Sequence, residues 1–183
     1  MSEQKLRFST RDMSRIALMA VLLAVCSWIS VPAPVPFTLQ TFGVFCALGL
    51  LGGRRGSTAV LLYILLGALG LPVFSGFAGG LGKLLGPTGG YILGFLISSL
   101  LYWLLERRAQ KGPLPLAAVL LLGLAACYAF GTAWFVLVYS ASHGPISLLG
   151  ALSLCVFPFV VPDLIKLALA LLLIRTLRKR LGL

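Results

Sequence analysis

The sequence predicts an all-α integral membrane protein, with six transmembrane helices in a single domain over residues 1–183 and a Gly-rich loop on the outer side. Three observations carry this expectation. Of the 183 residues, 60% are hydrophobic and only 10% are charged, with a mean hydropathy of +1.06; a soluble domain carries about 25% charged residues. Residues 16–53, 56–82, 84–105 and 112–162 hold no Asp, Glu, Lys or Arg, and a helical span needs about 20 residues. These apolar runs are unbroken rather than alternating, which favours helices over a barrel. The basic residues, finally, fall in clusters that a six-span chain places on one side. No room is left for a soluble catalytic domain.

The first span is expected over 14–31. Its charged flank and apolar core resemble a signal peptide, but the run is long and lacks a clear A-x-A site, so it reads as an uncleaved anchor. Pro32, Pro34 and Pro36 then predict a stiff extended loop. A second span over 39–51 ends at GGRRG, and a third follows over 57–69. Both are short, so they sit in a thinned region or beside re-entrant structure. The Gly-rich segment 70–91, GLPVFSGFAGGLGKLLGPTGGY, is the candidate for that role, since irregular backbone at membrane depth must be buried in protein or line a cavity. A fourth span over 90–105 ends at ERRAQKGP, and a fifth covers 114–139. SASHGP turns the chain, and a sixth span ends at 174. Its start is blurred by Pro158 and Pro162.

Charge sets the orientation. Lys5, Arg7, Arg11 and Arg15 precede the first span. Arg54 and Arg55 separate the second from the third, and Arg107, Arg108 and Lys111 the fourth from the fifth. Arg175, Arg178, Lys179 and Arg180 follow the sixth. Only Lys83 and Lys166 of the 15 Lys and Arg stand apart. The positive-inside rule then predicts cytoplasmic termini. Topology and anionic lipid account for the net charge of +11, and nothing points to nucleic acid.

Catalytic chemistry is poorly served. Glu3, Asp12 and Glu106 flank spans, and His143 sits alone in an outer turn. No catalytic triad can be assembled, and GGLGKLLGPTGG lacks the G-K-[ST] of a nucleotide loop. Cys26, Cys46, Cys127 and Cys155 lie in apolar runs without metal-ligand spacing and read as small buried hydrophobes. Two residues break the pattern. Asp163 and Lys166 stand in PFVVPDLIKLALALLLI, where insertion scales charge about 2.5–3.5 kcal/mol for each near the bilayer centre. Their i, i+3 spacing puts them on one helical face. They are either the polar heart of a binding site or a structural ion pair.

With cytoplasmic termini, VPFTLQT, the Gly-rich segment and PDLIK converge on the outer side. They supply aromatics (Phe37, Phe74, Phe77, Tyr91), neutral hydrogen-bonding groups (Thr38, Gln40, Thr41, Thr88) and glycines for close approach, including Gly79 and Gly80. An apolar cavity with a few placed polar groups is the make-up of a small-molecule site; turns and helix contacts are the alternative use of the glycines. Thr88 can cap the fourth span and leave the amides of Gly89 and Gly90 open to a carboxylate, with Lys83 adding positive charge. In the first span, Ala20 and Ala24 form a small-residue pair that permits close helix packing.

VPFTLQTFGVF, the GGRRG turn, LLGALGLPVFSGFAGGLGKLLGPTGGYILGF and PDLIK together resemble the BioY family, from about residue 10 to residue 177. These are the biotin-binding membrane components, or S components, of energy-coupling-factor (ECF) transporters. The resemblance implies a non-enzymatic six-helix vitamin receptor of a prokaryotic plasma membrane, which needs no cofactor and takes biotin as its transported ligand. It implies a transmembrane coupling protein and two cytoplasmic ATP-binding subunits as partners. It assigns Asp163 and Lys166 to the biotin site and Ala20 and Ala24 to the coupling motif. An autonomous biotin carrier, a carrier of another small solute and a membrane scaffold stay open as alternatives.

Overall fold

The computed structural model describes residues 8–32 and 35–181. Glu3, Lys5, Arg7 and Pro34 lie outside the described residues, as does the side chain of His143.

Helix α1, Thr10–Trp28, starts at a capping box: the Ser9 hydroxyl accepts from the Asp12 amide (3.2 Å) and the Asp12 carboxylate accepts from the Ser9 amide (3.3 Å). The same carboxylate meets Arg55 at 2.9 Å, linking the start of α1 to the GGRRG turn. On either side of the prolines the chain forms a small antiparallel ribbon. Strand β1, Ser30–Val31, pairs with β2, Phe37–Thr38, in the register Ser30↔Thr38 and Val31↔Phe37.

The second and third expected spans are the two arms of one helix, α2, Gln40–Ala68, broken at Gly52 (φ 80°, ψ 177°). Glycine alone adopts this backbone without strain. A side chain at 52 would also collide with Glu106 Oε1, which accepts the Gly53 N–H at 2.9 Å and so caps the second arm. The GGRRG turn is therefore a sharp break held by a carboxylate from a later helix, Gly89–Ala109, rather than a free loop.

The Gly-rich segment contains the five-residue helix α3, Leu81–Leu85, and an isolated bridge between Phe74 and Ala78. Helix α4 runs over Gly89–Ala109 and α5 over Pro113–His143. The sixth span comprises α6, Leu148–Cys155, a break at Val156, and α7, Phe157–Leu181. Pro158 falls in the first turn of α7, where its missing N–H is tolerated, while Pro162 lies inside the helix, just before Asp163. Among the described residues, Gly89–Ala109, Pro113–Ser142 and Leu148–Arg180 are long and apolar enough to cross a membrane.

Helix α4 packs along α5, α1 packs along α2, and α2 touches both α4 and α7. Tyr63, Phe45, Phe74 and Tyr102 are the largest fully buried side chains of the core. All four cysteines are buried and unpaired, as their apolar surroundings predict.

Candidate functional site

At the ribbon end of the bundle, α2, α4, α5 and α7 surround Asp163 and Lys166. The two side chains are only 2% and 7% exposed, and the α7 backbone sets them on one face, so they meet at 2.7 Å. Asp163 Oδ1 accepts from Lys166 and from the Thr41 hydroxyl (2.8 Å). Oδ2 accepts from the Tyr128 hydroxyl. Lys166 Nζ also donates to the Thr38 carbonyl at 2.6 Å and lies 5.2 Å from the centroid of the Phe37 ring. That ring stacks on Phe159 at 4.5 Å. Each charge is thus compensated in place, as buried charges must be.

A cavity of about 70 Å³ opens against this pair, lined by Thr38, Gln40, Thr41, Tyr91, Asp163 and Lys166 together with Val35, Pro36, Phe95, Cys127, Tyr128, Cys155 and Phe159. A second cavity of about 50 Å³ shares Val35, Pro36, Thr38, Gln40, Tyr91 and Phe95 with it and adds Ser75, Lys83 and Thr88. The shared residues make the two a single cleft with chemically distinct ends. One end carries the ion pair, the other an ammonium and hydroxyl groups, and Tyr91 and Phe95 form common wall. Gln40 is fixed by Thr38, whose hydroxyl donates to its side-chain oxygen (3.0 Å), and by donating to the Tyr63 hydroxyl. Tyr91 is fixed by a 2.9 Å bond to the Thr132 hydroxyl.

Other expected site residues sit elsewhere. Phe74 is wholly buried in the core, edge-on to Tyr63 at 5.5 Å, so it supports the cleft from behind. Gly79 lies tight against the carbonyls of Gly70 and Leu71, and the Gly80 amide is bonded to the Gly67 carbonyl at 2.7 Å. Both shape the Gly-rich loop. Gly89 packs on the Leu84 backbone and Gly90 on the Trp134 side chain; neither lines the two cavities of the cleft. The Gly89 amide is already bonded to the Gly86 carbonyl (3.0 Å), and Thr88 makes no side-chain cap. Lys83 is the cationic group at that end of the cleft, and the Gly89 amide is not open to a ligand. Ala20 and Ala24 are buried against α2, within the protein's own core, while Leu18 on the opposite face is 70% exposed.

Sequence reasoning missed Tyr128, Phe95, Phe159, Cys127 and Cys155 as lining residues. A signal existed for the first: Tyr128 and Thr132 are polar residues one helical turn apart inside a charge-free run, and both hold site residues by hydrogen bonds.

The chain matches the BioY family over residues 1–183. A biotin transporter BioY of Thermotoga maritima is 41% identical over 170 residues, covering 92% of this chain and 96% of that protein. One of Rhodobacter capsulatus is 38% identical over 177 residues, covering 91% and 93%. Among solved structures, the 2.1 Å crystal structure of the S-component for biotin from an ECF-type ABC transporter aligns with a TM-score of 0.81 and 28% identity, over 98% of this chain and 95% of that one. On sequence along its whole length and on fold, the chain belongs to the BioY family.

Proposed function

We propose that the chain is the biotin-binding subunit of an ECF-type uptake transporter in a prokaryotic plasma membrane. It captures biotin on the outer side and passes it inward with a transmembrane coupling protein and two cytoplasmic ATP-binding subunits. One observation carries the ligand assignment. A carboxylate offers about four lone-pair sites and an ammonium three donors. Asp163 has three sites filled, by Thr41, Lys166 and Tyr128, and Lys166 has two donors engaged, to Asp163 and Thr38. The remainder is one acceptor site on Asp163 Oδ2, the hydroxyl oxygen of Tyr128, and one N–H of Lys166. That acceptor, acceptor, donor set is complementary to the two N–H groups and one carbonyl of a ureido ring. The Lys83 end of the cleft suits the carboxylate tail, and Phe95 and Phe159 the apolar ring between.

Ligand pockets usually hold about 300 Å³ or more, against about 70 and 50 Å³ for the two parts of this cleft. Entry of biotin therefore displaces a wall. The segment carrying Val35 and Pro36 leads into a ribbon of only two residue pairs in register and is the wall proposed to move. Titration calorimetry in detergent tests the reading. Biotin should bind tightly, and 2-iminobiotin, whose guanidinium replaces the ureido carbonyl and sets a cation against Lys166, should bind much more weakly. Equal binding of the two would remove the ureido assignment; no heat from biotin would remove the function.

The basic clusters support cytoplasmic termini. With an impermeant maleimide in intact cells, Ser142→Cys should react and Arg54→Cys should not; reaction of both would sink this topology, and reaction of Arg54→Cys alone would reverse it.

The coupling role proposed for Ala20 and Ala24 acts through packing. They let α1 lie close on α2 and so set the α1 face that carries Leu18, Val21 and Val25, which borders a groove of about 500 Å³ with Arg15 and Arg55. Val21→Trp should leave biotin affinity unchanged and weaken co-purification of the ATP-binding subunits. Ala20→Trp, by contrast, should lower the thermal stability of the isolated subunit. Normal assembly of Val21→Trp would exclude this face.

A further inference from the structure

On the side of the bundle that carries the basic clusters, the α4–α5 turn and the last turns of α7 enclose a chamber of about 350 Å³, separate from the biotin cleft. Gln110, Arg175 and Arg178 supply its polar edge, and Leu116, Leu171 and Ile174 its apolar wall. The two arginines stand one turn apart on α7. Among the described residues neither has a carboxylate partner; the ion pairs there are Asp12–Arg55 and Asp163–Lys166. A third group points the same way. Tyr102 is 1% exposed, and its hydroxyl is the buried side-chain polar atom that lacks a hydrogen bond among the described residues. Arg178 and Glu106 are its charged neighbours, and of the two Arg178 is within hydrogen-bonding reach. A buried hydroxyl is rarely left without a partner, and here it lies behind the Arg178 guanidinium, which lines the chamber.

Two guanidiniums one turn apart form a donor pair for a phosphate. The apolar wall beneath them excludes a site built for a free anion alone, because it offers such an ion nothing. It suits the glycerol and first methylenes of an acyl chain, and basic pockets between transmembrane helices on the cytoplasmic side are known sites for anionic headgroups.

We propose that this chamber binds the phosphodiester headgroup of an anionic phospholipid from the adjoining leaflet, with Arg175 and Arg178 on the phosphate. The lipid would pin the end of α7 to the α4–α5 turn, at the opposite end of α7 from Asp163.

The test uses the full chain in a neutral detergent, with thermal unfolding followed on addition of phosphatidylglycerol, phosphatidylcholine or inorganic phosphate. Phosphatidylglycerol should raise the Tm by several degrees, while phosphatidylcholine and phosphate should not. Arg175→Gln with Arg178→Gln should lose that rise and lower the apparent affinity for phosphatidylglycerol roughly tenfold or more, with biotin affinity unchanged as proof of fold. Tyr102→Phe, which lies behind Arg178 and outside the chamber lining, should leave the lipid-dependent rise in place. A rise that persists in the double arginine variant, or that phosphatidylcholine matches, overturns the site. A rise produced by phosphate alone overturns the lipid in favour of a soluble anion.

Discussion

Asp163→Asn is expected to lower biotin affinity by roughly 30- to several-thousand-fold, and adding Lys166→Met to it is expected not to restore binding. Truncating one side of a buried, hydrogen-bonded charge pair costs about 2–5 kcal/mol, and about 1.4 kcal/mol is a factor of ten. The upper part of that range applies because both side chains are almost fully buried and salt and solvent cannot screen them. Asn also turns the acceptor proposed to meet the ureido N–H groups into a donor, and it leaves the Lys166 ammonium without its counter-ion. Lys166→Met should cost a comparable amount by stranding the carboxylate. The double variant separates the two possible roles of the pair. If the charges serve only each other, removing both relieves the penalty and binding returns. If they hold the ligand, the protein folds, elutes as one species on size exclusion, and still binds nothing. Tyr128→Phe should fall between, at about 5- to 30-fold, because it removes one neutral hydrogen-bonding group worth about 1–2 kcal/mol. Calorimetry on the four variants decides the matter, and recovered tight binding in the double variant would falsify the ligand role.

How far the site was legible follows from what each residue type signals. Asp163 and Lys166 stood out because charge inside an apolar run costs energy that function must offset. Thr38, Gln40 and Thr41 were legible as polar groups in the segment that follows the prolines. Tyr128, Phe95, Phe159, Cys127 and Cys155 were not, because in a helix apolar on every side the inward face is set by how the neighbouring helices roll. The short β1–β2 ribbon escaped for a related reason, since three prolines mark an extended chain but not its pairing. Glycine was the most ambiguous signal. Gly89 and Gly90 carry the same letter whether they open space for a ligand or for a helix, and only Leu84 and Trp134 packed against them decide it. Gly52 and Gly53 likewise read as a turn between helices, and the Glu106 carboxylate that makes the turn a sharp break comes from another element. The six spans themselves were readable because composition and the basic clusters constrain them together.

Lys83 and Gly90 separate recognition of the biotin tail from the packing that shapes the cleft. Lys83→Met should weaken biotin about tenfold and leave unchanged the affinity for an analogue whose carboxylate is reduced to an alcohol. Lys83 is half-buried at the cleft end, so its contribution is that of a charge-assisted hydrogen bond reduced by partial solvation, about 1–1.5 kcal/mol. Gly90→Val should weaken both ligands equally and lower the Tm. A side chain at 90 runs into Trp134 at its Cβ and first ring carbon, and these atoms cannot swing aside without moving the α5 backbone. Overpacking of this kind costs about 1–3 kcal/mol, and it displaces Tyr91, the next residue and a wall of both cavities. The contrast between the variants is the informative quantity. Parallel losses in Lys83→Met would mean that the tail lies elsewhere, while a biotin-selective loss in Gly90→Val would return the α4 N-terminus to the tail site.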